Sequence, residues 1–165
     1  MNAHAEGDWA EALGESSHAE GWKTEASGRY SHAEGEHTIA STYCNHAEGR
    51  STTASGYASH AEGVDTKATG NYSHAEGEGT IASKGHQHVQ GKYNVEDTKN
   101  IYPHIVGWGT SDTDRKNIHT IDYNGNGWFS GDVFVGPNNY KLINENDLAS
   151  LISRIETLEA ALANN

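Results

Sequence analysis

The sequence predicts a mainly β fold in three parts: a coil of short strands over residues 1–91, a β-rich neck or knob over 92–141, and a short coiled-coil helix over 142–165. Three observations carry this prediction. A tetrapeptide recurs every 14 residues, aromatic and β-branched residues with Asp-Asn-Gly turns follow it, and apolar residues near the end have heptad spacing. A fixed period indicates structural units stacked on one another.

The repeat is the strongest of these signals. His-Ala-Glu-Gly begins at His4, His18, His32, His46, His60 and His74, and a divergent copy begins at His88. The ninth residue from each of the first six histidines is alanine, and Gly, Ser and Thr recur at other fixed positions. Because Gly and Ser suit turns and Thr suits a pleated surface, each repeat predicts two very short strands joined by tight turns. A helical hairpin would need helices below the usual minimum of about 8 residues, and collagen needs Gly at every third residue.

Alternation along the first strand separates two faces. Ser, Ala and Gly of Ser-His-Ala-Glu-Gly are expected to line the inside of a narrow coil, with His and Glu outside. A coil this narrow buries little apolar surface. The burial in one chain hardly offsets the conformational entropy that is lost on folding. We therefore expect several copies of the chain to associate.

The Ser-x-Ala-x-Gly pattern, from about Ala3 to Gly91, resembles the YadA-like head repeat of trimeric autotransporter adhesins. The resemblance implies a trimeric left-handed parallel β-roll, in which three coils pack side by side around a shared axis. In that family the two x positions are usually aliphatic and look like the trimer core. Here they are His and Glu.

A coiled-coil seam at the C-terminal end independently favours association. Its a and d positions are Leu148, Leu151, Ile155, Leu158 and Leu162. The segment from Arg154 to Glu159 resembles a short trimerisation motif, in which Arg154 at g reaches Glu159 at e of a neighbouring chain. An amphipathic helix packed on its own domain is the alternative. Asn144 or Asn146 is expected to cap the helix start, and Asp147 to favour its first turn. We predict a homotrimer.

Strands are predicted between these parts at residues 102–109, 118–123 and 131–136, with a turn at 124–127. The run from Asp122 to Gly136 resembles a segment that precedes the C-terminal region of bacteriophage tail-fibre and receptor-binding proteins. This resemblance favours a virion tail fibre as the location, with the bacterial cell surface as the alternative.

Composition narrows the partners. The net charge of −12 disfavours nucleic acid and anionic membrane surfaces. No apolar stretch is long enough to span a bilayer, so no membrane insertion is expected. Cys44 is the only cysteine, which excludes an intrachain disulfide. No sequence motif calls for a cofactor.

The repeated His-x-Glu pairs are the candidate site. If they face a three-fold axis, each layer presents three imidazoles beside three carboxylates, and hydrogen bonds between them would form a polar ladder that responds to pH. The pairs are His4/Glu6, His18/Glu20, His32/Glu34, His46/Glu48, His60/Glu62 and His74/Glu76. One alternative is an outward, solvated column. The other is a transition-metal site in which three imidazoles surround the axis, at His18, His32, His46, His60 and His74.

Equivalent copies lack the single differentiated pocket that catalysis needs, so we predict no enzyme. The predicted function is a trimeric structural or adhesive rod, namely a bacteriophage tail-fibre or receptor-binding segment that presents a host-surface binding module. The alternative is the head and neck of a bacterial trimeric adhesin. A host receptor or glycan is a possible partner, because aromatic faces stack on sugar rings. The candidate glycan contacts are Tyr102, Trp108, Tyr123 and Trp128, whose alternative role is the core of the knob.

Overall fold

A computed structural model describes the backbone of residues 2–131, 134–135, 140–141 and 145–163, and the side chains of residues 2–131, 151–160 and 162. The chain divides into two compact units, Met1–Ser130 and Gly131–Asn165. Each unit is described by itself.

The first unit is a parallel β-solenoid. One sheet contains the longer strands β1 (His4–Glu6), β3 (His18–Trp22), β5 (His32–Glu36), β7 (His46–Arg50), β9 (His60–Val64), β11 (His74–Glu78) and β13 (His88–Lys92). A second sheet contains β2 (Glu11–Ala12), β4 (Glu25–Ala26), β6 (Ile39–Ala40), β8 (Thr53–Ala54), β10 (Lys67–Ala68) and β12 (Ile81–Ala82). Neighbouring strands pair in parallel, so that each histidine lies beside the histidine of the next repeat.

The longer sheet continues beyond the repeats. Strand β14 (His104–Trp108) pairs in parallel with β13 and completes a solenoid of about eight turns. β15 (Asn117–Ile121) and β16 (Gly127–Phe129) then add to the same sheet in antiparallel fashion. β14 and β15 overlap the strands predicted at 102–109 and 118–123, whereas β16 was not predicted as a strand and begins at Gly127, inside the predicted turn 124–127. The same compact unit spans the predicted boundary after Gly91.

The second unit contains one two-stranded sheet and one helix among its described residues. Strands β17 (Phe134–Val135) and β18 (Tyr140–Lys141) pair in antiparallel fashion, and helix α1 spans Glu145–Ala163. Of the predicted capping residues, Asn144 lies outside the described residues, whereas Asn146 and Asp147 lie in the first turn of α1. Across the described residues, no helix combines the length and apolar character needed to cross a membrane.

The core of the solenoid is made of small side chains. Each longer strand and each short strand from β3 to β12 buries one alanine completely, and Val89 and Ile105 take that place in β13 and β14. Ser17, Ser31, Ser59 and Ser73 form one buried column, and Thr24, Thr38, Thr52, Thr66 and Thr80 form another. The predicted inward direction of Ser and Ala is therefore confirmed.

The glycine of the tetrapeptide differs from that prediction. Gly21 and Gly35 are exposed instead of lining the inside, and their φ angles are +114° and +109°. A Cβ at Gly21 would collide with the backbone carbonyl of Gly35 in the next coil. Glycine is needed here because successive coils stack closely in a backbone conformation that L side chains rarely adopt.

Two substitutions within the repeat lie next to each other in the structure, and together they replace the hydrogen bonds of the regular coil. Thr42 replaces a turn glycine and Asn45 replaces the buried serine that follows it. The Thr42 hydroxyl donates to Oδ1 of Asn45 at 2.7 Å and also lies 2.9 Å from the carbonyl oxygen of Gly56. The Asn45 amide in turn donates to Ser59 Oγ at 3.0 Å. The larger polar pair thus replaces the hydrogen bonds of the regular coil.

Candidate functional site: the His/Glu face

The candidate site is the outer face of the longer strands, here called the His/Glu face: the side chains of the six predicted His/Glu pairs and of His88. The histidine and glutamate of one strand lie two residues apart and therefore on the same side of the sheet. Because the strands pair in parallel without a register shift, each histidine stacks on the histidine of the next repeat and each glutamate on the next glutamate. From His18 to His74, neighbouring imidazoles are 4.6–4.8 Å apart between centroids, with interplanar angles of 2–8°.

The imidazole column is longer than the sequence predicted. His88 stacks on His74 at 5.0 Å, and edge-to-face contacts at 5.5 and 5.4 Å extend the column to His104 and His119. Phe129 stacks on His119 at 4.4 Å. One signal was available, because His104-Ile105-Val106-Gly107 is a divergent repeat that follows His88 after 16 residues instead of 14. His119 has no such signal, since its strand pairs in antiparallel fashion.

Six histidines of the column each face a carboxylate, and the partner changes along the column. Within residues 2–131, His60 has no such ion pair, and it lies at the point where the partner changes. The Nε2–Oε2 distances are 3.6 Å for His18/Glu20 and His32/Glu34, and 3.7 Å for His4/Glu6 and His46/Glu48. Further along, His74 instead faces Glu62 and His88 faces Glu76, each at 3.4 Å and each from the preceding coil. Each of these carboxylates therefore faces one histidine, which lies in its own strand up to His46 and in the next coil for His74 and His88.

These contacts do not satisfy the imidazoles. The Nε2 atoms of His18, His32, His46, His60, His74 and His88 are inaccessible to solvent and have no hydrogen-bond partner within the described residues. Yet about a third of the His32 and Glu34 side chains is exposed, 35% each. The buried nitrogen and the partly exposed side chain are compatible if neighbouring side chains cover Nε2 while the rest of the imidazole ring is exposed to solvent. A polar atom in that state costs free energy until it is paired.

The stack favours neutral imidazoles. Partial burial, followed by repulsion from the neighbouring His46, lowers the pKa of His32 below its ordinary value. Burial and then the charges of His46 and His74 lower the pKa of His60. The same causes, burial and then the neighbours His88 and His119, lower the pKa of His104.

Metal binding fits this arrangement poorly. Three groups bring their ligand atoms within 4.8 Å of one another: His32/Glu34/His46, His46/Glu48/His60 and His60/Glu62/His74. Zinc binds imidazole nitrogen at about 2.0–2.1 Å, so two of its ligands lie no more than about 4.2 Å apart. Nearly parallel rings also direct their nitrogens in parallel, not toward one point. An ion in these columns would require side-chain rotation.

The coiled-coil residues leave an apolar stripe open on α1. The exposed fractions are 45% for Leu151, 48% for Ile155, 64% for Leu158 and 76% for Leu162. Arg154 and Glu159 are exposed as well, and the described part of α1 contains no ion pair between them. The side chain of Leu148 lies outside the described residues.

The four candidate glycan residues do not form one site. Tyr102 and Trp128 meet edge to face at 5.8 Å, and Tyr102 also packs against the buried core. Tyr123 instead donates a hydrogen bond to the carbonyl oxygen of Gly85 at 3.1 Å. Trp108 is 61% exposed at the end of β14, and residues 2–131 provide no ring contact between it and the other three.

Sequence reasoning missed a second aromatic column at a turn. Successive rings of this column are 5.0–5.4 Å apart, with angles that alternate between stacked and edge-on. It comprises Tyr30, Tyr43, Tyr57, Tyr72 and His86. Their sequence spacing is 13, 14, 15 and 14 residues, and this irregularity hides the column in a strict 14-residue alignment.

The fold and the site define this chain as a mainly β protein with a parallel β-solenoid of histidine-rich repeats. No protein-family model matches it, and no curated protein or solved structure is significantly similar to it.

Proposed function

We propose that this chain is part of a non-enzymatic homotrimeric rod, a bacteriophage or prophage-derived tail-fibre or receptor-binding segment that presents a host-surface binding module. Three left-handed parallel β-rolls pack through their His/Glu faces, and three α1 helices form a parallel coiled coil. The observation that carries the proposal is the row of buried, unpaired Nε2 atoms on an otherwise regular face.

The unpaired nitrogens support a face that is completed by other copies. Rotation of each partly exposed imidazole would bring its Nε2 to a carboxylate of a neighbouring chain, which removes the cost of an unsatisfied polar atom. Because the columns repeat coil by coil, a second copy in register offers the same groups at the same spacing. Symmetric association is the simplest way to pair every layer.

The thin core supports the same assembly. The completely buried apolar side chains of the solenoid are alanines, with Val89 and Ile105 as larger exceptions. Alanine buries far less apolar surface than leucine or phenylalanine, so one chain gains little from its own core. Contact between copies supplies the missing burial.

The open stripe on α1 supports three copies in particular. Its described a and d side chains are 45–76% exposed, as expected for a helix whose partners are other chains. Arg154 at g and Glu159 at e have no ion pair with each other within the described helix. Interchain pairing of these two residues is the arrangement that the trimerisation motif implies.

The near-equivalence of the His/Glu pairs supports a non-enzymatic role for this face. The His/Glu pairs are repeated in near-equivalent form from coil to coil, whereas catalysis requires one group to differ from its neighbours. With a net charge of −12 per chain, nucleic acid and anionic membranes are poor partners.

Light scattering coupled to size exclusion tests the assembly. We expect a mass three times the 17.8 kDa of one chain. A chain that stays monomeric at high concentration would overturn the proposal, because the His/Glu face and the α1 stripe would then both be free.

The head and neck of a bacterial trimeric adhesin is the second candidate, since it shares the repeat resemblance. Gold-labelled antibody against the solenoid distinguishes the two. Label on phage tails supports the tail fibre, and label on bacterial surfaces without phage supports the adhesin.

A further inference from the structure

A pocket beside the last regular coils has a lining that the regular coils do not repeat. The turn residues with positive φ form two columns along the coils, and Lys23, His37, Ser51 and Asp65 belong to one of them. Gly79 is the single glycine of the column and Tyr93 follows it, with φ angles of +61° and +39°. A Cβ at Gly79 would collide with the Tyr93 ring, so the missing side chain is what lets that ring lie along the column.

The connection from β14 to β15 closes one side of the pocket. Nη1 of Arg115 donates to the carbonyl oxygens of Gly79 at 2.8 Å and of Asn94 at 3.0 Å, and Nη2 pairs with Asp112. The guanidinium carbon lies 5.6 Å from the centroid of the Tyr93 ring. Only 18% of the Arg115 side chain is exposed, and both Nη atoms already donate hydrogen bonds within the chain. Arg115 therefore forms a rigid side of the pocket.

This partly open pocket has the size and chemistry of a small-ligand site. Its volume is about 300 Å³, at the lower end of the range for small-molecule pockets. Its lining includes Ser51, Asp65, Lys67, Ile81, Tyr93 and Arg115. Within residues 2–131, the Asp65 carboxylate and the Lys67 ammonium make no side-chain hydrogen bond or ion pair. One strong acceptor and one strong donor are therefore free at the mouth of the pocket.

We propose that this pocket binds a neutral pyranose sugar. The apolar face of a pyranose ring matches Tyr93 and Ile81, and its vicinal hydroxyls match the Asp65 carboxylate and the donors of Lys67 and Ser51. The two cations and the carboxylates of Asp65 and Asp112 balance in charge, which favours a neutral sugar over an anionic one. This inference deepens the proposed function, because it names the class of surface ligand that the rod would recognise.

Saturation-transfer NMR on the full chain tests the site. The probes are glucose, galactose, mannose and their N-acetylated amino sugars, with sialic acid as the anionic comparison. We expect saturation of a neutral sugar, and a dissociation constant raised at least about tenfold by Asp65→Asn or Lys67→Gln. Glu25→Gln is the matched control, because Glu25 lies in the same strand column as Lys67, three coils away.

The mass of each sample is measured by light scattering beforehand, which separates the two proposals. A trimer that binds no neutral sugar, or binds it equally well after both pocket substitutions, overturns the sugar site and leaves the rod intact. Binding of sialic acid alone also overturns it. A monomer that still binds a neutral sugar through Asp65 supports the site and overturns the assembly.

Discussion

The Nε2 atom of His74 lies 3.4 Å from Oε1 of Glu62, which belongs to the preceding coil. At His46 the nearest carboxylate is instead that of Glu48 in its own strand, at 3.7 Å. Glutamates of this face therefore reach imidazoles in two layers. A contact that can shift between layers tolerates small differences in coil spacing.

Acidification is expected to destabilise the folded chain. The folded-state pKa of His32 and of His60 lies below the ordinary 6.5, so the unfolded chain takes up more protons as the pH falls through that value. The stability that depends on neutral imidazoles is complete above about pH 7 and is lost progressively below about pH 6.5. Groups facing these two histidines are His18, His46, His74, Glu20, Glu34, Glu48 and Glu62.

Thermal unfolding between about pH 8 and pH 5 measures this effect, above the range in which carboxylates titrate. We expect the midpoint to fall toward pH 5. His32→Gln with His60→Gln should flatten the profile, whereas His37→Gln with His86→Gln should leave it unchanged, since those two rings contact Trp22 and Tyr72 outside the His/Glu face. Equal midpoints for the unsubstituted protein across the whole range would contradict a buried ladder.

Glu34→Gln is expected to weaken the assembly. The substitution keeps the shape of the side chain but removes a charged acceptor from the His/Glu face, which costs about 1–2 kcal/mol per chain if a neighbouring imidazole depends on it. Chemical denaturation of the trimer gives the value. Glu11→Gln on the exposed part of β2 is the control, with a change within about 0.5 kcal/mol. Equal effects of the two substitutions would show that the face is only solvated.

Gly49→Ala is expected to be among the most damaging single substitutions in the solenoid. Gly49 has φ +103°, and a Cβ there would strike the backbone carbonyl of Gly63. Backbone strain and overpacking together cost about 2–5 kcal/mol. Gly125→Ala separates the two causes, because Gly125 has φ +83° with open space around it and should lose only about 1–2 kcal/mol. Urea denaturation of both variants measures the difference, and equal losses would contradict the role of coil contact.

Ile155→Asn is expected to dissociate the trimer. Ile155 occupies an a position of the proposed seam and Ile152 an e position, yet both are about half exposed in a single chain, at 48% and 47%. If α1 packs through a heptad seam, substitution at the a position should weaken the trimer more than substitution at the e position. If α1 is a free amphipathic helix, the two substitutions should have equal effects. We expect at least a tenfold weaker trimer, about 1.4 kcal/mol, for Ile155→Asn and a smaller change for Ile152→Asn. Mass measured over a dilution series decides, and equal dissociation would contradict the seam.

Sequence periodicity was sufficient for the strands and for the inward alanines because each depends on contacts that recur in every coil. Other features depend on contacts that do not follow the 14-residue period of the sequence. His104 and His119 join the imidazole column through an insertion and an antiparallel strand, which break the period. The Tyr30 column arises from turn residues in neighbouring positions, and the exposed glycines follow from close approach of two backbones. The Tyr93 pocket needs a connection that folds back from a distant part of the chain, so it has no local pattern.

Removal of metal is expected to change nothing. The rings of His32 and His46 are stacked 4.8 Å apart and nearly parallel, whereas two ligand nitrogens of one zinc ion lie within about 4.2 Å of each other and point toward the ion. We expect dialysis against EDTA to leave both the unfolding midpoint and the solution mass unaltered, with metal far below one ion per chain by elemental analysis. A stoichiometric ion that EDTA removes, together with a lower midpoint, would instead assign the columns to metal binding. His46→Gln would then reduce the ion content, because His46 belongs to two of the three groups. His37→Gln, outside the His/Glu face, would retain it.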